Sequence, residues 1–367
     1  MKTVRPLLLL LAVLAVLAAA CTGAGDTPAA PTATPTLVPV PTTVPTVTPT
    51  PTESEAAIYP LTGLEADDPD RLQLPALGVK IDNAPAARPQ EGLGQADIVF
   101  EELVEGGVTR FLAVFHSADP GEAGPVRSGR DVDADLFPPF QGILAISGAA
   151  APTYNVLFSA GLTVFEEGQA GGAIYRVPDR SAPHNLNAIA DRLWDAGADQ
   201  AVAMQPWPIE EETPSGGEAV EAVTAPFSDD YAHSWAWRSR EGVFERGQNG
   251  TRHVSEDGQQ IAASNIVYAR VQVGGGGGVD VSGSGTVSMT LVGAGSATYL
   301  RDGQVFTGTW RKLTREAHFE WLDEDGRPFP LAPGRTWVEL QPVGLDIEVD
   351  PPGEVDADAP TEEPTEG

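Results

Sequence analysis

Short runs in which apolar and polar residues alternate fill most of the chain beyond residue 75. In the first half, "ALGVKIDN" (76–83), "DIVFEELV" (97–104), "TRFLAVFHS" (109–117) and "GILAISGAA" (142–150) are short apolar or alternating runs with turn residues between them, which predicts strands. "YNVLFSAGL" (154–162) and "LNAIADRLWDAGA" (186–198) instead place apolar residues three and four apart. Both predict helices; the second ends at Gly197 and has Asn185 or Asn187 as its cap. Strands interleaved with helices predict a mixed sheet. The second half is almost all strand. "NIVYARVQV", "TVSMTLVG", "SATYLRDGQVFTGTW", "HFEWLDEDGRPFPL" and "RTWVELQPV" alternate throughout, and Asp302-Gly303 and Asp325-Gly326 are pairs that close tight hairpins. Gly274 to Gly278 predicts a flexible loop joining two strands. The expected fold is α+β: a mixed α/β N-terminal domain, then a small, mostly antiparallel β domain folded as a twisted sheet or barrel.

The termini follow no such pattern. Lys2 and Arg5 precede an uninterrupted apolar run, Leu7 to Leu17, and three alanines lead to Cys21, the one cysteine of the chain. That layout predicts a secretory signal over 1–21 with Cys21 as a lipidation site, although Ala18 stands where such sites favour leucine. Acylation of that thiol leaves no disulfide, so the ectodomain relies on its core. Residues 22–57 are rich in Pro and Thr, which enforces an extended, coreless linker. The acid-rich end, 346–367, predicts a disordered tail. Between them, the Pro-, Gly- and acid-rich stretch 205–228 divides an N-terminal domain, 58–204, from a C-terminal domain, 229–345.

Charge narrows the partners. The ends hold 12 of the 52 acidic and two of the 22 basic residues, which leaves 40 against 20 in 58–345. So acidic a surface excludes nucleic acid and docking on anionic headgroups. It suits an ectodomain on the extracytoplasmic face of a bacterial membrane, attached through its lipid anchor, with a cell-wall glycan or an envelope protein as partner.

Against that background, "RFLAVFHSADPGEAGPVRSGRDVDAD" (110–135) stands out for its arginines. Arg110, Arg127 and Arg130, with Ser128 and the framing Gly124 and Gly129, offer planar donor forks and open backbone to a phosphate or carboxylate. The alternative is structural pairing with Glu101, Glu102, Asp131 and Asp133. Asp82 and Asn83 end a strand and precede Arg88 on a loop stiffened by Pro85 and Pro89. Asp82 and Asp131 are the candidate catalytic carboxylates, with Glu101, Glu102, Glu105, Asp133 and Asp135 as further acidic groups; a solvated acidic face is the alternative. "RSAPHNL" (180–186) adds His184 and Asn185 as anion-binding candidates, or a plain helix-capping loop. The five histidines show no metal-ligand spacing, so no metal site is expected. Gly-x-Ser-x-Gly, phosphate-loop and dinucleotide motifs are absent, and no cofactor is expected.

"PLTGL", the long block "VKIDNAPAARPQEGLGQADIVFEELVEGGVTRFLAVFHS", "GPVRSGRD", "APHNL", "SATYLRDGQVFTGTWRKL" and "PLAPGRTWVELQPV" together resemble the YerB-type bacterial lipoproteins. The likeness spans nearly all of 58–343 and implies a membrane-anchored extracytoplasmic lipoprotein with N- and C-terminal domains of unknown function. It implies no activity. The chain departs from that pattern at "SGAAAPTY", where a Gly-Gly-Ser is expected, which weakens a backbone anion nest near Ser147. A slighter likeness, over Arg110 to Asp131 alone, is to the LytR-CpsA-Psr enzymes. It implies an alternative: phosphotransfer from a polyprenyl-diphosphate-linked glycan, with the arginines on the diphosphate and Mg2+ bridging. The reading favoured here is ligand or partner binding, because no nucleophile–base pair stands out.

Overall fold

The computed structural model describes residues 56–279 and 285–353. The predicted signal, Cys21, nearly all of the linker and the tail beyond 353 lie outside the described residues. The four alternating runs of the first half form β1 (Leu77–Asp82), β2 (Ile98–Leu103), β3 (Thr109–Phe115) and β4 (Ile143–Ala145). A fifth strand, β5 (Thr163–Phe165), follows. β3 lies antiparallel between β1 and β2, while β4 and β5 extend the sheet in parallel beyond β1. Every residue of β1 is buried, as befits a strand covered on both faces.

Composition marks no break in the sheet. Within the 205–228 stretch, β6 (Ala222–Pro226) pairs with β7 (Ala232–Arg238), which pairs with β8 (Val243–Gln248), in a six-stranded sheet. Next come β9 (Asn265–Val279), β10 (Gly293–Arg301), β11 (Gln304–Lys312) and β12 (Thr336–Pro342). β12 runs parallel to both neighbours, β9 on one side and β2 on the other. Through it one twelve-stranded sheet spans both halves; along its main path the strand Glu320–Leu322 comes first, followed by β11-β10-β9-β12-β2-β3-β1-β4-β5. Strand far outweighs helix, so the fold is predominantly β. Among the described residues the three α-helices, α1 (Asp133–Leu136), α2 (Ala151–Ser159) and α3 (Ala190–Ala196), all lie in the first half.

Two expectations are corrected. Gly274 to Gly278 lie inside β9, and Gly274 and Gly275 pair with the strand Gly285–Thr290. The ladder bonds are main-chain bonds, so missing side chains do not break them. The second predicted helix begins only at Ala190. Leu186–Ile189 is a strand held between Glu122–Ala123 and Ile174–Arg176, a tertiary pairing that overrides so short a helical period. Asn187 therefore caps nothing and donates to Glu122 Oε2 at 3.1 Å, and Asn185 accepts from Arg176 Nη1 at 2.9 Å. The Asp302-Gly303 hairpin forms as expected, with φ of 53° and 71° supplying the left-handed pair that the turn demands.

Alternation sends side chains to two cores, one on each face of the large sheet. Leu77, Val79, Ile81, Phe111 and Trp337 pack toward Trp235 and Phe244 of the second sheet. Phe100, Leu112, Val114, Val267 and Val338 pack toward Phe137 and Leu157 and the aromatic residues of the second half.

Candidate functional site

At one end of β1, β2 and β3 both faces turn from apolar to charged. Arg110 pairs across the strands with Asp82 on one side and Glu102 on the other, and Lys80 lies two residues before Asp82 on the same face. Glu101 and Thr109 project from the opposite face. The consecutive glutamates Glu101 and Glu102 thus serve two separate clusters.

The segment Pro125–Gly129 crosses the end of β1 and positions the first cluster. Asp82 donates its N–H to Pro125, Arg127 its N–H to Lys80, and Ser147 and Gly129 tie the turn to residues 127 and 148, all at 2.8–3.0 Å. Arg127 Nε lies 3.0 Å from Asp82 Oδ2, and His184 Nδ1 reaches the same oxygen at 2.6 Å. Arg130 grips Glu105 with two donors, Nη2 at 2.7 Å and Nε at 3.0 Å from Oε2, and its N–H meets Asp133 Oδ2 at 2.7 Å. Ser128 Oγ and Ser147 Oγ stand 3.3 Å apart.

Arg110 differs from its neighbours. It is 6% exposed and donates Nη1 to Ser128 O at 2.9 Å; it forms no ion pair among the described residues, and its Nε–H is unpartnered. Burial first, then the charges of Arg130 and Arg127, lower its guanidinium to about 10, so it stays charged at neutral pH. Beneath it, Lys80 Nζ sits 2.5 Å from both Glu102 and Asp133. Burial raises Glu102 to about 7, against the pull of Lys80.

On the opposite face the network is fully enclosed. Arg246 Nη2 donates to Glu101 Oε2 at 2.6 Å, and Thr109 Oγ1 to Glu101 Oε1 at 2.7 Å. Glu101 lies opposite Glu339 in the parallel β2–β12 pair, and Glu339 lies opposite Tyr268 in the β9–β12 pair. Trp235 Nε1 donates to Glu339 Oε1 at 2.9 Å. Burial drives Glu339 well above the usual carboxylate range and His233 down to about 3, so this histidine is neutral.

Of the residues singled out in the sequence, Asp82, Arg110, Arg127, Ser128, Arg130 and His184 come together. Arg88 does not join them: its Nη2 and Nε hold Asn83 O at 2.8 Å and Asn83 Oδ1 at 3.0 Å. Asn185 belongs to the Arg176 contact, and Asp131 is exposed and forms no ion pair among the described residues. The expected structural partners differ as well: Glu101 takes Arg246, and Glu102 and Asp133 take Lys80. Lys80, in an apolar strand, is legible only as a strand residue. Arg246, His233 and Glu339 lie so far along the chain from Glu101 that no spacing joins them.

Comparison with known proteins agrees with this architecture. A "Putative lipoprotein YerB" of Bacillus subtilis (strain 168) is 27% identical over 302 residues, covering 77% of this chain and 86% of that protein. The crystal structure of the Bacillus subtilis YerB protein superposes with a TM-score of 0.69 at 24% identity, over 80% of this chain and 99% of that one, a likeness of fold. Residues 61–203 match the N-terminal domain, and residues 223–338 the C-terminal domain, of the protein family of unknown function DUF3048. With both halves matched in order and the fold shared, the chain belongs to the DUF3048 family.

Proposed function

We propose that this chain is a lipid-anchored extracytoplasmic lipoprotein whose arginine turn binds an anionic group, phosphate or carboxylate, on a ligand or partner of the cell envelope. The observation that carries the reading is Arg110: a buried, charged guanidinium with a free N–H and no ion pair among the described residues, although Asp82 and Glu102 flank it across the strands, beside two half-buried arginines and two hydroxyls. A charge buried without a counter-ion is costly unless an anion arrives to pair with it. The anchor is supported by Cys21 behind its apolar run and by the name of the Bacillus relative.

Thermal melting of the full chain in detergent, with inorganic pyrophosphate or a short-chain polyprenyl pyrophosphate, tests the site. Ligand at a hundred times its dissociation constant adds about 2.7 kcal/mol to the folded state. The native chain melts higher with the anion, and an Arg127→Ala/Arg130→Ala variant loses the shift. An unmoved native transition with both anions sinks the proposal.

A second reading, phosphotransfer, is favoured by Asp82 and His184. His184 Nδ1 lies 2.6 Å from Asp82 Oδ2; with Nδ1 as the donor, Nε2 is the ring atom left to accept a proton. In that reaction an acceptor hydroxyl oxygen bonds to the glycan-side phosphorus, its proton passes to His184, and polyprenyl phosphate leaves; a divalent cation, were one bound, would supply charge neutralisation for the leaving phosphate. Release of polyprenyl phosphate that His184→Ala abolishes would separate transfer from binding.

A further inference from the structure

We infer that Glu101, His233 and Glu339 form a buried site for one divalent transition-metal ion, distinct from the arginine turn. The three side chains come from β2, β7 and β12, none is exposed, and each offers a ligand atom within 4.8 Å of the others. His233 Nε2 and Glu339 Oε1 lie 3.5 Å apart. A tetrahedral ion with bonds of about 2.1 Å has ligand edges of about 3.4 Å, so this edge is already set.

Independent of the carboxylates, the surrounding polar atoms lack partners. Both ring nitrogens of His233 and the Tyr268 hydroxyl are buried with no hydrogen bond, and the Glu339 carboxyl meets that of Glu101. Native interiors rarely leave three such atoms unsatisfied in one place. The rest of the environment is arranged as around a metal: Trp235 Nε1 fixes Glu339 Oε1 and Arg246 Nη2 fixes Glu101 Oε2, orienting each carboxylate from behind.

The charges permit it. Glu101, Glu339 and Arg246 leave the ionised pocket at −1, and a divalent ion brings it to +1, less than a three-histidine zinc site carries. One imidazole, two carboxylates and no thiolate suit Zn2+ or Mn2+. Because the site is closed on all sides, the ion enters during folding.

Metal analysis of the full chain, purified in detergent without chelator, tests this directly. About one equivalent of Zn2+ or Mn2+ is expected, and Glu339→Gln removes it. Should that variant fail to fold, the native chain answers alone: unfolded in guanidinium with chelator, it refolds to its original melting temperature only when Zn2+ or Mn2+ is returned. A metal-free native chain that refolds fully in chelator, with Glu339→Gln just as stable, overturns the inference. It would assign a shared proton to Glu101 and Glu339 in place of the ion.

Discussion

Glu102 lies between Arg110 and the sheet interior with none of its side chain exposed, and burial holds its carboxyl at about 7. Its folded value is thus raised above the ordinary 4.5. Below pH 4.5 the carboxyl is protonated whether the chain is folded or not. As pH rises toward 7, the unfolded chain ionises first and gains free energy that the folded chain does not, so stability falls; above 7 the penalty is complete. Glu102→Gln, which keeps the shape and removes the titration, escapes that loss. The full penalty is about 3 kcal/mol at 1.36 kcal/mol per pH unit, and about 2.5 kcal/mol of it develops between about pH 5 and about pH 9. Staying above pH 5 also avoids the sequence pI of 4.3. Urea unfolding followed by tryptophan fluorescence, native against variant at the two pH values, measures the change in their difference. The variant gains on the native chain as pH rises. An offset that is the same at both pH values refutes the assignment of a proton to Glu102.

Three further outcomes are expected. Lys80→Met strands Glu102 and Asp133 without their cation and lowers stability by about 3–5 kcal/mol in the same unfolding assay; unchanged stability contradicts the triad. Gly308→Ala drives a methyl into Leu322 O and the Tyr299 ring across the β10–β11 sheet, costing about 1–3 kcal/mol, read as a lower melting temperature. Cys21→Ala moves the protein from the membrane fraction to the soluble fraction, and mass spectrometry of the native chain finds acyl chains on that residue; an unmodified Cys21 contradicts the anchor.

The strands of the first half are legible because each is a short apolar or alternating run bounded by turn residues. What local pattern cannot carry is who pairs with whom. Nothing in "RTWVELQPV" announces that it lies between β2 and β9, and the glycine run in β9 reads as loop because side-chain patterning is silent where there are no side chains. Leu186–Ile189 was lost to a helix period that only two apolar residues supported. The arginine turn was found from composition, since cations are scarce in so acidic a chain, yet its partners were misassigned. Glu101 and Glu102 are neighbours in sequence but point to opposite faces, and Glu105 rather than either of them takes Arg130. The Glu101–His233–Glu339 cluster had no signal at all, because three strands from three distant segments assemble it.

The position of β12 bears on how the chain is made. Residues 336–342 are among the last of the described residues to leave the ribosome, yet they fill the slot beside β2, whose own segment was synthesised more than two hundred residues earlier. Until they arrive, β2 and β9 each present a bare row of N–H and C=O groups. The first half cannot finish folding as it emerges; it has to wait until residues 336–342 have been made. A product truncated before Thr336 therefore carries two open sheet edges, a ready substrate for aggregation or for quality-control proteolysis, and only chains that include residues 336–342 escape both.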